Sequence, residues 1–485
     1  MDREGLNAFC HQSEGILPPV FKGRKTILAT LRQQGENTRR VEQIPGHTIR
    51  KVTMRGIPKV TQILQGAPGA GKTSVLAKLQ EQCAADEQNS APRVVIVSSE
   101  NIIGGLPQVL TLIRAAGELS SSKWKNLIAR VGLNLTANSF GDISASVGWK
   151  MNAPDIPTTL DQLAAISPSR RWKIPVIVAV DEAQNLSGER DTDHARFLQS
   201  IHNASTGLSL TLVLAGLSDT KNRAQLIGLT RGVTTHNLHC LSISDRNDLV
   251  IAFCGKFGVD VRGYEPKLEA LAESTEGWPR HLHFTLQALG KELLRVNGSV
   301  PDVQWSDVAL TAGQSRVTYY QHQQSEIFMA LKPLIGAVME EHQRGDGFKT
   351  ITNNIRKNLQ PEMLDDLSDD VPELARFPRH LFQEMVHQGV LQEYAPDQFF
   401  SPIPSFRRHL IKDGLLTPNN PLPPRGTFKL CNGTIFSAVQ SGFRSMTEAR
   451  VWASKKVAKM DSEEDISLWY EDIPLEIIRT ATLCL

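Results

Sequence analysis

Eight consecutive residues, Gly66-Ala67-Pro68-Gly69-Ala70-Gly71-Lys72-Thr73, are of the types and spacing that hold a triphosphate. They satisfy G-x-x-x-x-G-K-[ST] at every fixed position. Gly66, Gly69 and Gly71 accept backbone angles that turn amide N–H groups inward onto anionic oxygens. Lys72 brings a point charge to the outer phosphates, and Thr73 offers its hydroxyl to Mg²⁺. Ala67, Pro68 and Ala70 complete the loop, and Ser74 carries the chain into the next element. A second pair lies far downstream, Asp181 and Glu182. Asp181 can share the metal with Thr73, and Glu182 can polarise an attacking water, so the set points to hydrolysis and not to binding alone.

The elements that must position these residues are legible around them. The loop follows an apolar run, Val60 to Leu64, and precedes a helical pattern, Ser74 to Gln82, whose positive end faces the same anion. Asp181 and Glu182 end the run IPVIVAVDEAQN, Ile174 to Asn185. Arg93 to Ser98 and Ser209 to Leu214 are further continuous apolar runs, of the kind expected for strands covered on both faces. Helical patterns alternate with them, at Pro18 to Gln33 with Ile27, Leu28 and Leu31 on one face, and at Leu106 to Ala116. The alternation predicts an α/β domain with a doubly wound, mostly parallel sheet and a ligand at the carboxyl ends of its strands. Lys123 to Val147 is less regular and reads as an inserted hairpin at about 123–150, although Trp124 between Lys123 and Lys125 has the form of an amphipathic helix with a half-buried tryptophan. From Asp245 to Asn297 the periodicity is helical.

Other motifs fall in a fixed order around the loop: FKGRK at Phe21 to Lys25, the Thr230-Arg231 pair in QLIGLTRGV, and EGWPRHL, with Gly277, Pro279 and Arg280. In this order the chain resembles the AAA+ ATPases, close to the origin-recognition and STAND-like groups, over residues of roughly 18–297. The resemblance implies ATP and Mg²⁺ as cofactors, with a nucleotide-binding domain over 18–243, a helical lid over 244–298 and an N-terminal extension over 1–17. It implies that Gly23 and Arg24 lie against the adenine and that Arg231 is presented to the ATP of a neighbouring copy, hence a homo-oligomer. Arg280 would reach the nucleotide from the lid. The polar residue that senses the terminal phosphate, often asparagine in the family, falls here to Ser218 or Asp219.

Beyond Gly298 the pattern changes. A helix at Gln324 to Glu341, a second at Phe377 to Gln388, and two apolar-aromatic runs around the turn APDQ, within Gly389 to Phe406, predict a winged-helix-like domain over 320–415. Between 343 and 413 there are 9 Lys and Arg against 11 Asp and Glu, so the region lacks the positive excess that marks a nucleic-acid reader. Arg407 and Arg408 are its best local phosphate contacts if DNA is bound. Double-stranded DNA and a separate effector protein are therefore both carried as expected partners. A proline-rich linker, Thr417 to Arg425, leads to a small α+β tail, 426–485, with strand character at Thr427 to Ser437 and a helix at Ser445 to Lys459.

The net charge of +2 sets no global field toward nucleic acid or anionic membranes. Six scattered cysteines without the spacing of a zinc or redox site, an N-terminus without a signal-like core, and apolar runs far shorter than a membrane span predict a cytoplasmic protein without membrane contact.

Overall fold

The structure is a computed structural model. It describes residues 1–12, 18–42, 61–86, 91–131, 157–166, 174–203 and 208–323, and beyond these residues 386, 389, 392–395, 398–400, 402–403, 406, 428–432, 435–443, 466–470 and 473–478. The chain divides into two compact units, one of residues 13–66 and 71–238, the other of residues 1–12, 67–70 and 239–485.

The first unit is built on a five-stranded parallel sheet. Its strands are β1 (Thr61–Gln65), β2 (Arg93–Ser98), β3 (Val176–Asp181), β4 (Leu210–Gly216) and β5 (Val233–Asn237), in the order β2-β3-β4-β1-β5. β1 to β4 are buried almost along their whole length, as their continuous apolar runs require. Val176, Val178 and Val180 share a core with Val109 and Ile113 of α4 (Ser99–Glu118) and Leu198 of α7 (Asp193–His202). The alternate residues face the other way, where a Cβ at Gly35 of α2 (Lys25–Glu42) would come within 2.9 Å of the Ile177 side chain. Period-two alternation within a single strand thus feeds both helical layers. Register aligns the carboxyl ends that matter: Ser98 is opposite Asp181, and Gln65 is opposite Gly216.

α4 starts on a capping box formed by Ser98 and Asn101, and Gly105 breaks its helical angles just before Pro107. Residues 123–131 differ from the expected hairpin and follow the amphipathic-helix form around Trp124: α5 (Ser121–Val131) is a helix. Its Trp124 is 3% exposed and lies under the Arg93 guanidinium at 5.9 Å, so burial on one face overrode the weak alternation. The rest of that expected insertion lies outside the described residues. α3 (Lys72–Ala84), α6 (Leu160–Ile166) and α8 (Thr220–Leu226) complete this unit.

The second unit is helical around α9 (Ile243–Lys256), α10 (Glu265–Glu273), α11 (Pro279–Arg295) and α12 (Trp305–Gln323). α1 (Arg3–Cys10) joins it, its Leu6, Phe9 and Cys10 buried at helical spacing. Phe9 stacks edge-on to Phe253 at 5.1 Å, and Gly290 on α11 leaves the room that Cys10 and Leu6 occupy. Gly277, at φ +74°, opens the turn before α11. Its carbonyl accepts the Leu241 N–H at 2.7 Å, and no Cβ would fit against the Leu241 main chain. β6 (Gln392–Ala395) and β7 (Gln398–Phe400) form the expected antiparallel hairpin. The two helices expected at 324–341 and 377–388 lie outside the described residues, apart from Val386. In the tail, β8 (Phe428–Asn432), β9 (Ile435–Phe443), β10 (Ile466–Tyr470) and β11 (Ile473–Ile478) make an antiparallel sheet in the order β11-β10-β8-β9. The helix expected at Ser445 to Lys459 lies outside the described residues. Among the described residues no helix is long and apolar enough to cross a membrane.

His281, fully buried on α11, is held between the Tyr320 hydroxyl (2.9 Å) and the Thr275 carbonyl (3.3 Å). Burial, helped by the Arg316 charge, pushes its pKa down to about 3. The unfolded chain takes up this proton near pH 6.5 while the folded one refuses it until about pH 3. Stability is therefore complete above pH 6.5 and falls below it by about 1.4 kcal/mol per pH unit for this group. Urea unfolding at pH 7, 6, 5 and 4 should show that slope, and His281→Gln, which can keep both hydrogen bonds without titrating, should make it shallower by one proton. An unchanged slope in the variant would remove the assignment.

Candidate nucleotide site

The loop between β1 and α3 reaches its shape through left-handed glycines, Gly69 at φ +79° and Gly71 at φ +87°. Gly71 is the N-cap of α3, so Lys72 and Thr73 form the first residues of that helix, where its free N–H groups and dipole favour an anion. Gly66 is tied to the sheet, its N–H donating to Gly216 O at 3.2 Å. Lys72 Nζ donates to Gly66 O at 2.8 Å, folding the ammonium back over the loop. Burial pulls its pKa down to about 8, with Asp181 and Glu182 pulling the other way. An ammonium that is uncomfortable in this place gains most from an arriving polyphosphate. Ser74 is the third residue of the same helix.

Asp181 ends β3. Its Oδ2 accepts from Thr73 Oγ1 at 2.6 Å and its Oδ1 accepts from the Glu182 N–H at 3.0 Å. The two anchors found far apart in the sequence thus meet through a direct bond. Hydroxyl and carboxylate are hard oxygen donors, and one carboxylate with one hydroxyl beside a phosphate cradle fits Mg²⁺, which is held through few protein ligands, phosphates and waters. Glu182 sits at φ +53° and ψ +36°, a left-handed conformation rare for a residue with a side chain. Such angles persist where the surroundings fix them, and they turn the carboxylate away from the path of the strand. Burial, then Asp181 and Glu100, raise its pKa, while Lys72 opposes them. This is the tuning expected of a carboxylate that takes a proton from water.

Gln184, which the sequence gave no reason to single out, bridges two strand ends: its Oε1 accepts the Leu217 N–H at 3.1 Å. Gly216 makes room for it, since a Cβ there would meet Gln184 and Thr220. Two residues further, Ser218 and Asp219 differ in what they are free to do. Asp219 is paired with Arg223 at 2.8 Å and bonded to Asn222 at 3.1 Å. Ser218 is 6% exposed, and its Oγ has no hydrogen-bond partner among the described residues. A buried hydroxyl left in this condition is at a cost until something polar meets it.

Arg231 is exposed, on the loop between α8 and β5. Gly23 and Arg24 form a left-handed pair, at φ +74° and +61°, that turns the chain into α2. Arg280 belongs to the helical unit, as do Ala67 to Ala70. Within that unit a Cβ at Gly69 would lie 2.7 Å from Arg280 Cβ, and the Tyr319 hydroxyl donates to Pro68 O at 2.7 Å. The Arg280 guanidinium lies 4.9 Å from the Phe284 ring centroid and 5.8 Å from that of Tyr319, and burial lowers its pKa. Tyr319 was invisible in the sequence, because a tyrosine on a helix far past the lid carries no phosphate signature.

Residues 61–221 match the family model described as an AAA domain. Among solved structures, the ADP form of the ORC2 protein of Aeropyrum pernix is similar at 13% identity, covering 84% of this chain and 97% of its own, with a TM-score of 0.49. A Walker-type ATPase of Pyrococcus abyssi is similar at 12% identity, covering 77% and 95%, with a TM-score of 0.44. The RuvB Holliday junction branch migration motor of Thermotoga maritima is similar at 11% identity, covering 80% and 95%, with a TM-score of 0.35. Comparison with curated proteins gives no match. Sheet order, loop and family match together define the class: the chain carries an AAA domain. That domain, residues 61–221, is of the ATP-hydrolysing P-loop kind.

Proposed function

We propose that the protein is a Mg²⁺-dependent ATPase whose nucleotide state sets how copies of the chain assemble, as a DNA-associated regulator in replication, transposition or mobile-element defence. The observation that supports this most is the bond between Thr73 and Asp181 beside Lys72, which collects a phosphate cradle, a hard-oxygen metal seat and a raised-pKa glutamate at one end of the sheet. Lys72 and the loop N–H groups hold the phosphates. Thr73 and Asp181 would hold the metal, which would supply positive charge beside the phosphates. Glu182 orients the water and takes its proton. Ser218 meets the terminal phosphate, Arg280 acts from the lid, and Gly23 with Arg24 borders the base.

Arg231 acts from the adjoining copy, offsetting charge on the transferring phosphoryl group. Its exposure on a loop at the edge of the sheet supports that reading. Turnover per subunit should then rise with protein concentration, and Arg231→Ala should flatten the rise with nucleotide affinity kept. A flat dependence in the parent protein would remove Arg231 from the reaction.

The acidic excess over 343–413 favours a second reading, in which the same cycle recruits or activates a separate effector protein, as in STAND-like switches, without direct DNA contact. Duplex binding titrated with salt, with and without ATP, separates the two. Steep salt dependence coupled to ATP supports DNA, and absence of binding supports the effector.

A further inference from the structure

The loop that carries Arg231 is held by one face of α7. Gln199 Nε2 donates to Ile227 O at 2.6 Å, and Gly228, at φ +91°, brings the main chain close to that amide. One turn further along α7, His202 Nδ1 lies 2.7 Å from Thr61 Oγ1, with the Arg231 main chain near the same ring. Thr61, the first residue of β1, also donates its N–H to Gly232 O at 2.8 Å. Below the loop, Ile227 and Leu229 are buried, at 0% and 1% exposure, while Thr230 and Arg231 stand in solvent. The main chain on both sides of Arg231 is therefore fixed at Ile227 and Gly232, with His202 holding the Thr61 side chain behind the second of these bonds, and the arginine side chain is left projecting. A surface loop with no task has little need of main-chain anchors from both a helix and a strand start.

We propose that His202 and Gln199 are positioning residues for Arg231, which clamp its loop so that the guanidinium is already aimed when a second copy arrives. The inference rests on the trans reading of Arg231. Neither residue belongs to the phosphate loop or to the Thr73–Asp181 pair, so their effect should appear only in the assembled state. A misplacement of about 1 Å in a catalytic group costs about 100-fold, and His202→Ala should lower turnover of the assembly by about 10- to 100-fold on that scale. Nucleotide affinity should stay at the parent value.

The test mixes subunits. Glu182→Gln copies cannot hydrolyse but keep a well-held Arg231, so they should restore turnover to the intact sites of His202→Ala copies, as they should for Arg231→Ala. Restoration for both supports the inference. Full turnover in Arg231→Ala overturns the trans reading and this inference with it. An impaired, restorable Arg231→Ala beside a fully active His202→Ala overturns the inference alone. Loss in His202→Ala that mixing does not restore assigns the residue to its own site or to folding, and also overturns it. Should His202→Ala fail to fold, Gln199→Met carries the same comparison from the Ile227 anchor, and Thr61→Val from the hydroxyl that holds the His202 ring.

Discussion

Lys72→Met should weaken nucleotide binding and, in the same protein, raise the unfolding midpoint of the nucleotide-free form. The two effects have one origin. The ammonium is buried enough for its pKa to fall to about 8, so at neutral pH the folded chain holds a charge that water would hold better. A folded-state pKa below the unfolded value of about 10.4 means the penalty is present below pH 8 and fades as pH rises toward the unfolded value. Methionine keeps the stem and deletes the charge, which relieves the penalty. It also deletes the charge-assisted bonds to phosphate, at about 1.5–3 kcal/mol, or about 10- to 100-fold in affinity. Calorimetric titration with ATP and thermal unfolding without it read the two halves. A lower unfolding midpoint would contradict the burial argument, and unchanged ATP affinity would remove the loop as the nucleotide site.

Glu182→Gln separates binding from turnover in the opposite way. The amide has the size of the carboxylate and can sit at the same left-handed backbone angles, so the loop and the Thr73–Asp181 bond have no reason to move. What is lost is a base. A positioned general base contributes about 100- to 10,000-fold, and kcat should fall by that order with the ATP affinity within a few-fold of the parent. The variant should accumulate ATP-bound assemblies, visible by light scattering. If kcat survives within about tenfold, well under the contribution of a general base, water activation belongs elsewhere.

What was legible in the chain depended on how locally the signal was written. The phosphate loop is eight contiguous residues between a strand and a helix, and the Asp181–Glu182 pair ends a run of buried β-branched residues. Both are local enough to read, and the fold then brings Thr73 and Asp181 together. β5 was missed because Val233-Thr234-Thr235-His236-Asn237 is an edge strand, only partly buried, with no apolar run to announce it. The stretch from about 123 to 150 reads as a hairpin because Leu133 and Leu135 alternate loosely, while its start around Trp124 already has the amphipathic-helix form that the structure gives it. Arg93 and the core under Trp124 decide that stretch, and both are distant in sequence. The bridging role of Gln184 and the clamp of Gln199 and His202 depend on main-chain groups, which every residue type presents alike, so composition could not show them. α1 was passed over because eight residues with Leu6, Phe9 and Cys10 at helical spacing are too few to stand out without the α11 groove that receives them.

The seating of α1 on α11 has a consequence for how the polypeptide matures during translation. Cys10 and its contact at Gln287 are 277 residues apart, a stretch that a ribosome working at roughly 5–20 residues per second takes about 14–55 s to make. The whole parallel sheet emerges within that interval. α1 therefore has no receptor for its phenylalanine and leucine until α11 is synthesised, long after the sheet between them.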